Sequence, residues 1–218
     1  RWRHRRGDWR MLESTGTPMF DEAGALTGYR GINHDATERL AQEARIHALA
    51  RIQSVLAAIG TLVLRNASRD ELLLNACRVA VEQGGFSAAG IGVIDAQGRL
   101  DVVRTYGDRE VLLAVDPGEP MSLAEGSPWR EHPSIRAFLE RRVFAVPDYA
   151  DCQDLPPALC HRMLRHGVQS QVTVPVGRQP WGLLALFSDE PREYDAEELD
   201  LLKRLADEID HAVDLIAQ

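Results

Sequence analysis

Cys160-His161 places a thiol beside an imidazole, and Cys152 and His166 stand near it in the chain. Those residue types could supply a nucleophile with a base, or ligands for a metal ion. The spacing argues against both. Neighbouring positions on a helix point about 100° apart and do not face each other, so His161 is badly placed to take a proton from Cys160. Cys152, Cys160, His161 and His166 match no structural-zinc spacing and would come from one loop and one short helix. No metal site and no catalytic set is therefore read from the sequence. A cysteine on an apolar helix face also serves simply as a small core hydrophobe.

The stretch PDYADCQDLP, residues 147–156, carries a different kind of chemistry. It follows a strand-like run, VFAVPDY, and precedes a helix whose Leu159, Cys160 and Met163 are apolar. Asp148, Tyr149, Asp151, Cys152 and Gln153 offer mixed polar groups beside Leu155. A pocket of about 300–1,000 Å³ with a few placed polar groups is the usual small-molecule site. Gln171 and Thr173 on the next strand, and Trp129 upstream, complete the candidate set. A cavity filled by its own side chains is the plainer alternative. The acidic run REYDAEELD is a helix start, where the dipole favours carboxylates, and needs no metal. No glycine-rich phosphate loop is present.

The elements that must position these groups follow from pattern. Residues 1–34 alternate as strands with turns at RRGDWR and at Glu22–Gly24. Asp35-Ala36-Thr37-Glu38 has the form of a capping box. From Glu38 to about Asn66 there is no proline and one glycine, and Leu49, Ile52, Leu56, Ile59 and Val63 step by three and four. That is the seam of a coiled coil, or equally of a helix packed on its own domain. A second helix spans about 69–84 and ends at QGGF. A hairpin around Ala96-Gln97-Gly98 follows, then a proline- and glycine-rich loop over 108–127. Short helices are expected within 127–142 and 155–167, with two strands joined at Arg178–Pro180. Asp195-Ala196-Glu197-Glu198 repeats the cap and opens a last helix, in which Leu199, Leu202, Ala206, Ile209, Val213 and Ile216 form a second seam. Strands joined by short turns predict a mainly antiparallel sheet of five or six strands, and so an α+β body.

Composition sets outer bounds. With 218 residues, 44% hydrophobic and 27% charged, the chain suits one or two ordinary globular domains. A net charge of −8 argues against non-specific nucleic-acid binding. Three cysteines without a pairing pattern suit a reducing, cytoplasmic setting, and no run is long and apolar enough for a membrane span or signal peptide. The chain opens on Arg rather than Met, in mid-pattern, and is read as a piece of a longer protein.

Two family resemblances rest on these residues. RRGDWRMLESTGTPMFDEAGALTGYRGINHDATER, with its terminal Asp35, Thr37, Glu38 and Arg39, resembles the C-terminal end of a PAS domain over residues 1–37 to 1–39. HGVQSQVTVPVGRQPWGLLALFSDEPREYDAEELDLLKRLADEID, with Val174-Pro175-Val176 and the strand from Gly182, resembles a GAF domain that covers about 47–218. The resemblance implies a division into a PAS remnant (1–37), a connecting signalling helix (38–66), a GAF-like body (67–194) and a C-terminal signalling helix (195–218). It implies the sensory front of a bacterial signalling protein, whose output elsewhere is a diguanylate cyclase, a cyclic-di-GMP phosphodiesterase or a histidine kinase. The module itself is expected to be no enzyme, to hold no cofactor, and to form a parallel homodimer along its two helix seams. Two alternatives come with the family. Bilin-binding members carry their pigment on a Cys followed by His, as at Cys160-His161, though the acidic and aromatic companions are absent here. Free methionine-sulfoxide reductases are three-cysteine members, but their cysteine-bearing glycine motif is missing.

Overall fold

The computed structural model describes residues 2–3, 5, 9–63, 68–115 and 120–217, the side chains of 60–63 and 115 excepted. The expected turn within RRGDWR and the residues Pro117 and Gly118 lie outside the described residues. Two compact units divide the chain, Arg1–Ala48 and Leu49–Gln218.

In the first unit β1 (Trp2–Arg3) pairs with β2 (Trp9–Arg10), and β3 (Leu12–Phe20) pairs antiparallel with β4 (Leu26–Asp35). The Asp21 carboxylate closes the hairpin turn by accepting the N–H groups of Ala23 and Ala25, and Gly24 takes the left-handed conformation the turn needs. Both long strands are largely exposed, Ile32 to 76%. The strand-to-helix joint is tightly bonded. Ala36 N–H donates to the Met11 carbonyl (2.8 Å), and Met11 N–H donates to Thr37 Oγ1 (2.9 Å). Asp35 accepts from the Thr37 N–H and hydroxyl at 3.0 and 2.6 Å. The cap expected at Asp35 is thus built differently: Asp35 ends β4, and the Ala36 carbonyl accepts the first helical bond, from Leu40. A reciprocal capping box occurs instead at Ser68 and Glu71, which the sequence reading passed over.

Helix α1 runs over Thr37–Val63. The second unit is a six-stranded antiparallel sheet in the order β7-β6-β5-β10-β9-β8. Its strands are β5 (Ala88–Ile94), β6 (Arg99–Gly107), β7 (Met121–Ser122), β8 (Phe144–Val146), β9 (Ser170–Val176) and β10 (Gly182–Ser188). Mixed helices and an antiparallel sheet agree with the expected α+β class. The 108–127 region departs from the loop reading, because it contains α3 (Arg109–Val115) and β7.

Successive strand residues point to opposite faces, and β10 shows what each face holds. Leu184 and Leu186 join a core with α1, with α2 (Arg69–Glu82) and with α6 (Ala196–Ile216). Leu183, Ala185 and Phe187 join a second core with α3, with α4 (Pro133–Glu140) and with α5 (Pro157–Arg165). This settles the helix seams. Ile52, Ile59, Leu202 and Ile209 are 0–1% exposed within the chain's own first core, so they are not free for a partner helix. The three-and-four stepping is satisfied within this core of helices and sheet. Leu49, Leu56 and Val213 are partly buried against the same core, and Ile216 is half-buried. The Val63 side chain lies outside the described residues.

Candidate functional site

The polar chemistry of the body lies on the α3–α5 side of the sheet, and β9 organises it. Val172, Val174 and Val176 face the helix core, which turns Gln171 and Thr173 to the other side. Buried amides and hydroxyls are stable only when paired, and these are paired with one another. Tyr149 Oη donates to Gln171 Oε1 at 2.5 Å. Gln171 Nε2 donates to Thr173 Oγ1 at 2.8 Å and to Ser134 Oγ at 3.4 Å. Ser134 N–H donates to His132 Nδ1 at 3.2 Å, which makes His132 the cap of α4. All five residues are buried.

The loop after β8 is held so that Tyr149 reaches this network. Tyr149 N–H donates to the Gln169 carbonyl, and Arg192 N–H donates to the Pro147 carbonyl. Asp148 Oδ1 accepts from Ala150 N–H, so that carboxylate tightens the loop and does not face the network. Gln153 is exposed. Trp129, Cys152 and Leu159 are partly buried, and Cys160 and Met163 fully, within the same apolar cluster. Of the predicted residues, then, Tyr149, Gln171 and Thr173 form one hydrogen-bonded group. Trp129, Cys152, Leu159, Cys160 and Met163 pack around it, while Asp148 and Gln153 stand apart.

Two members were missed. His132 and Ser134 stand outside the set expected from the sequence. The signal was in Glu131-His132-Pro133-Ser134: proline favours the first helical position, so the residue before it is a cap. Burial, then the nearby Arg162 guanidinium, pushes the His132 imidazole down to about 4, so it is neutral at neutral pH. The Trp129 ring meets it edge-on, with centroids 6.2 Å apart.

A small cavity adjoins the network at His132 and Ser134, and none of the residues predicted from the sequence lines it. Between Met121, His132, Ser134 and the glycines Gly90 and Gly92 lies a cavity of about 20 Å³, enough for about one water and not a small organic molecule. Gly92 is needed there, since a Cβ at that position would come within 2.5 Å of Leu100 Cδ1.

Cys160 is 6% exposed, and its sulfur points at the Cys152 carbonyl at 4.0 Å. Burial, then the neighbouring Cys152, raises its thiol pKa, which is the opposite of what an attacking thiolate needs. Its neighbour His161 is exposed. Among the described residues no group of three His, Cys, Asp or Glu could hold a metal ion, and no helix is long and apolar enough to cross a membrane.

Comparison with known proteins adds a family model described as GAF domain, which matches residues 66–214. Among solved structures, the GAF domain region of a Geobacter sulfurreducens PCA protein is 23% identical, with a TM-score of 0.57 over 67% of this chain and 93% of that one. Free methionine-R-sulfoxide reductase from Neisseria meningitidis is 17% identical, with a TM-score of 0.59 over 77% and 90%. The phycoerythrobilin-bound GAF domain of a cyanobacterial phytochrome is 18% identical, with a TM-score of 0.55 over 76% and 95%. At these identities the likeness is one of fold. No match to a curated protein was found.

Proposed function

The chain belongs to the GAF domain family, a sensory and regulatory fold, and we propose that its body works as a relay in which the polar network behind β9 biases the packing of α1 and α6. The observation that carries this reading is the two-sided use of one strand. Gln171 and Thr173 belong to the network, while Val172, Val174 and Val176, one residue away in each case, pack in the core with α1 and α6. A displacement of β9 toward or away from Tyr149 and Ser134 must therefore be felt by both helices. A close-packed core responds by switching between arrangements rather than by yielding smoothly.

A small molecule entering the cavity beside His132 and Ser134 would displace those two ends of the network, since about 20 Å³ leaves no room for both. Network-closed and ligand-filled forms are then the two states, and a ligand shifts them by its differential affinity. Residues 1–37 fit the reading as the closing strands of a PAS domain, because the Met11, Asp35 and Thr37 bonds fasten α1 to the hairpin. An output domain outside this chain and a cytoplasmic setting complete the proposal. A parallel homodimer belongs to it on a narrower seam than the spacing suggested, using the partly uncovered Leu56, Val213 and Ile216. Bilin attachment and methionine-sulfoxide reduction both require an accessible Cys160 thiolate, and the buried thiol supports neither.

Gln171→Leu tests the relay. It keeps the volume and strips Tyr149, Ser134 and Thr173 of their shared partner, a loss of about 1–3 kcal/mol. Amide hydrogen exchange in α6 is expected to speed up by about tenfold, a change of about 1.4 kcal/mol in local stability. Loosening confined to residues 147–156, with α6 unchanged, would overturn the relay.

A further inference from the structure

A second concavity, of about 290 Å³, sits where the end of α4, the β9–β10 turn and α6 meet. In a chain of net charge −8 it gathers Arg141, Arg142, Arg178 and Lys203 around one carboxylate, Asp207. Cations at the C-terminal end of α4 would suit that helix's dipole by themselves. Arg178 and Lys203 come from other elements, however, and the dipole does not account for them.

Two observations show that part of this charge is available, while Lys203 is already paired. Arg141 and Arg178 have no polar side-chain partner among the described residues, and both are exposed. Arg142 is bonded to Glu140 at 2.6 Å, but Glu140 also accepts from Arg136, so one carboxylate serves two guanidinium groups. Lys203 is paired with Asp200 at 2.7 Å. Arg141 is moreover the one non-glycine residue with positive φ among the described residues, at 50°. Its N–H groups the end of α4 by donating to the Ala137 and Phe138 carbonyls. This is the place where glycine is usual, and a side chain there costs about 1 kcal/mol. The chain holds a guanidinium at that position against its own backbone preference.

We propose that this groove binds a small organic phosphate. The planar forks of Arg141 and Arg178 match phosphate oxygens in pairs, and Arg142, which shares Glu140 with Arg136, adds to the positive field. Val174, Pro175 and Pro180 give the carbon skeleton an apolar floor. Asp207, which would repel a bare anion, accepts from a hydroxyl or amine of the organic part. The volume lies at the small end of ligand sites. The groove is separate from the hollow behind β9, and two of its residues, Lys203 and Asp207, belong to α6, so an occupant would bear directly on the C-terminal helix. The proposal stands whether or not the interior network acts as a relay.

The test is an amide-shift NMR titration of the full chain with ribose 5-phosphate, inorganic phosphate and ribose in turn. Ribose 5-phosphate is expected to shift Gly177 and the Lys203–Asp207 turn of α6, to bind more tightly than inorganic phosphate, and to weaken with added salt. Ribose is expected to shift nothing. Arg141→Gln and Arg178→Gln each lower the affinity by at least about tenfold. Asp207→Asn removes the preference for the sugar phosphate over inorganic phosphate, and Arg165→Gln, at the end of α5 and outside the groove, changes neither. Arg141→Gly relieves the backbone, so its loss of binding with an undiminished melting temperature separates recognition from folding. The inference is overturned if neither phosphate binds at millimolar concentration, if the shifts fall around Tyr149 and Gln171 instead, or if the Arg141 and Arg178 variants bind as the parent does.

Discussion

The two faces of the six-stranded sheet are built from the same strands by opposite means. Against α1, α2 and α6 the sheet presents Ile91, Val172, Val174, Leu184 and Leu186, in an apolar cluster bordered by one buried ion pair, Glu198 of α6 with Arg192. Against α3, α4 and α5 the apolar cluster is interrupted by Tyr149, His132, Ser134, Gln171 and Thr173, joined through directed bonds. The first face gains from every buried methylene, without regard to direction. The second depends on each partner being present, because a buried polar group left alone costs the full price of its desolvation. One face is therefore tolerant of shape and intolerant of lost volume, while the other is intolerant of any change that unpairs an atom. A domain that must be stable and yet respond to a chemical event needs one of each.

Three measurements sharpen or break this contrast. The largest effect is expected from Ile209→Ala on the apolar face, where the side chain is fully buried: about 4 kcal/mol in urea unfolding, within the usual 2–5 kcal/mol for such truncations. A loss below about 1 kcal/mol would mean that this face is not the main core.

The next arises from acid. The unfolded chain takes up a proton on the imidazole near 6.5, whereas the folded chain resists until about 4. Stability is therefore complete above that window and falls as pH drops through it, by up to about 3 kcal/mol. Protonation also destroys the Nδ1 acceptor that caps α4. His132→Asn keeps a capping acceptor and removes the titration, so its unfolding free energy between pH 6.5 and pH 4 should vary less steeply than the parent's. An identical slope in both proteins would remove His132 from the account.

The smallest belongs to a single oxygen. Tyr149→Phe leaves Gln171 Oε1 without its donor at almost constant volume, and a loss of about 1–2 kcal/mol is expected in thermal or urea unfolding. No loss at all would show that the network is not under tension to stay paired, and the two faces would differ less than their composition suggests.

What could be read in advance, and what could not, divides along physical lines. Turns and helix starts are local: Asp21 to Gly24, Asp195 bonding Glu198 N–H, and the hairpin at residues 95–99 follow from side chains that act on backbone a few residues away. The inward positions of Gln171 and Thr173 followed from the period of two along a strand. The helix seams show the limit of such patterns, because stepping by three and four says that a face is covered without saying by what. Here Ile52, Ile59, Leu202 and Ile209 are covered within the chain's own core of helices and sheet. His132 lies 39 residues from Gln171, so only its position before Pro133, which marks a helix cap, was legible in the sequence.

The order of residues by itself determined most of the elements, α3 and β7 excepted, the antiparallel class and the resemblance to GAF domains, since each rests on contacts or periodicities within a short span. Tertiary structure alone decided that Tyr149, Gln171, Thr173, Ser134 and His132 bond into one network, that Cys160 is a core thiol, and that arginines and a lysine from three separate elements share one groove. Those properties depend on distances between residues far apart in the chain, and only packing sets such distances.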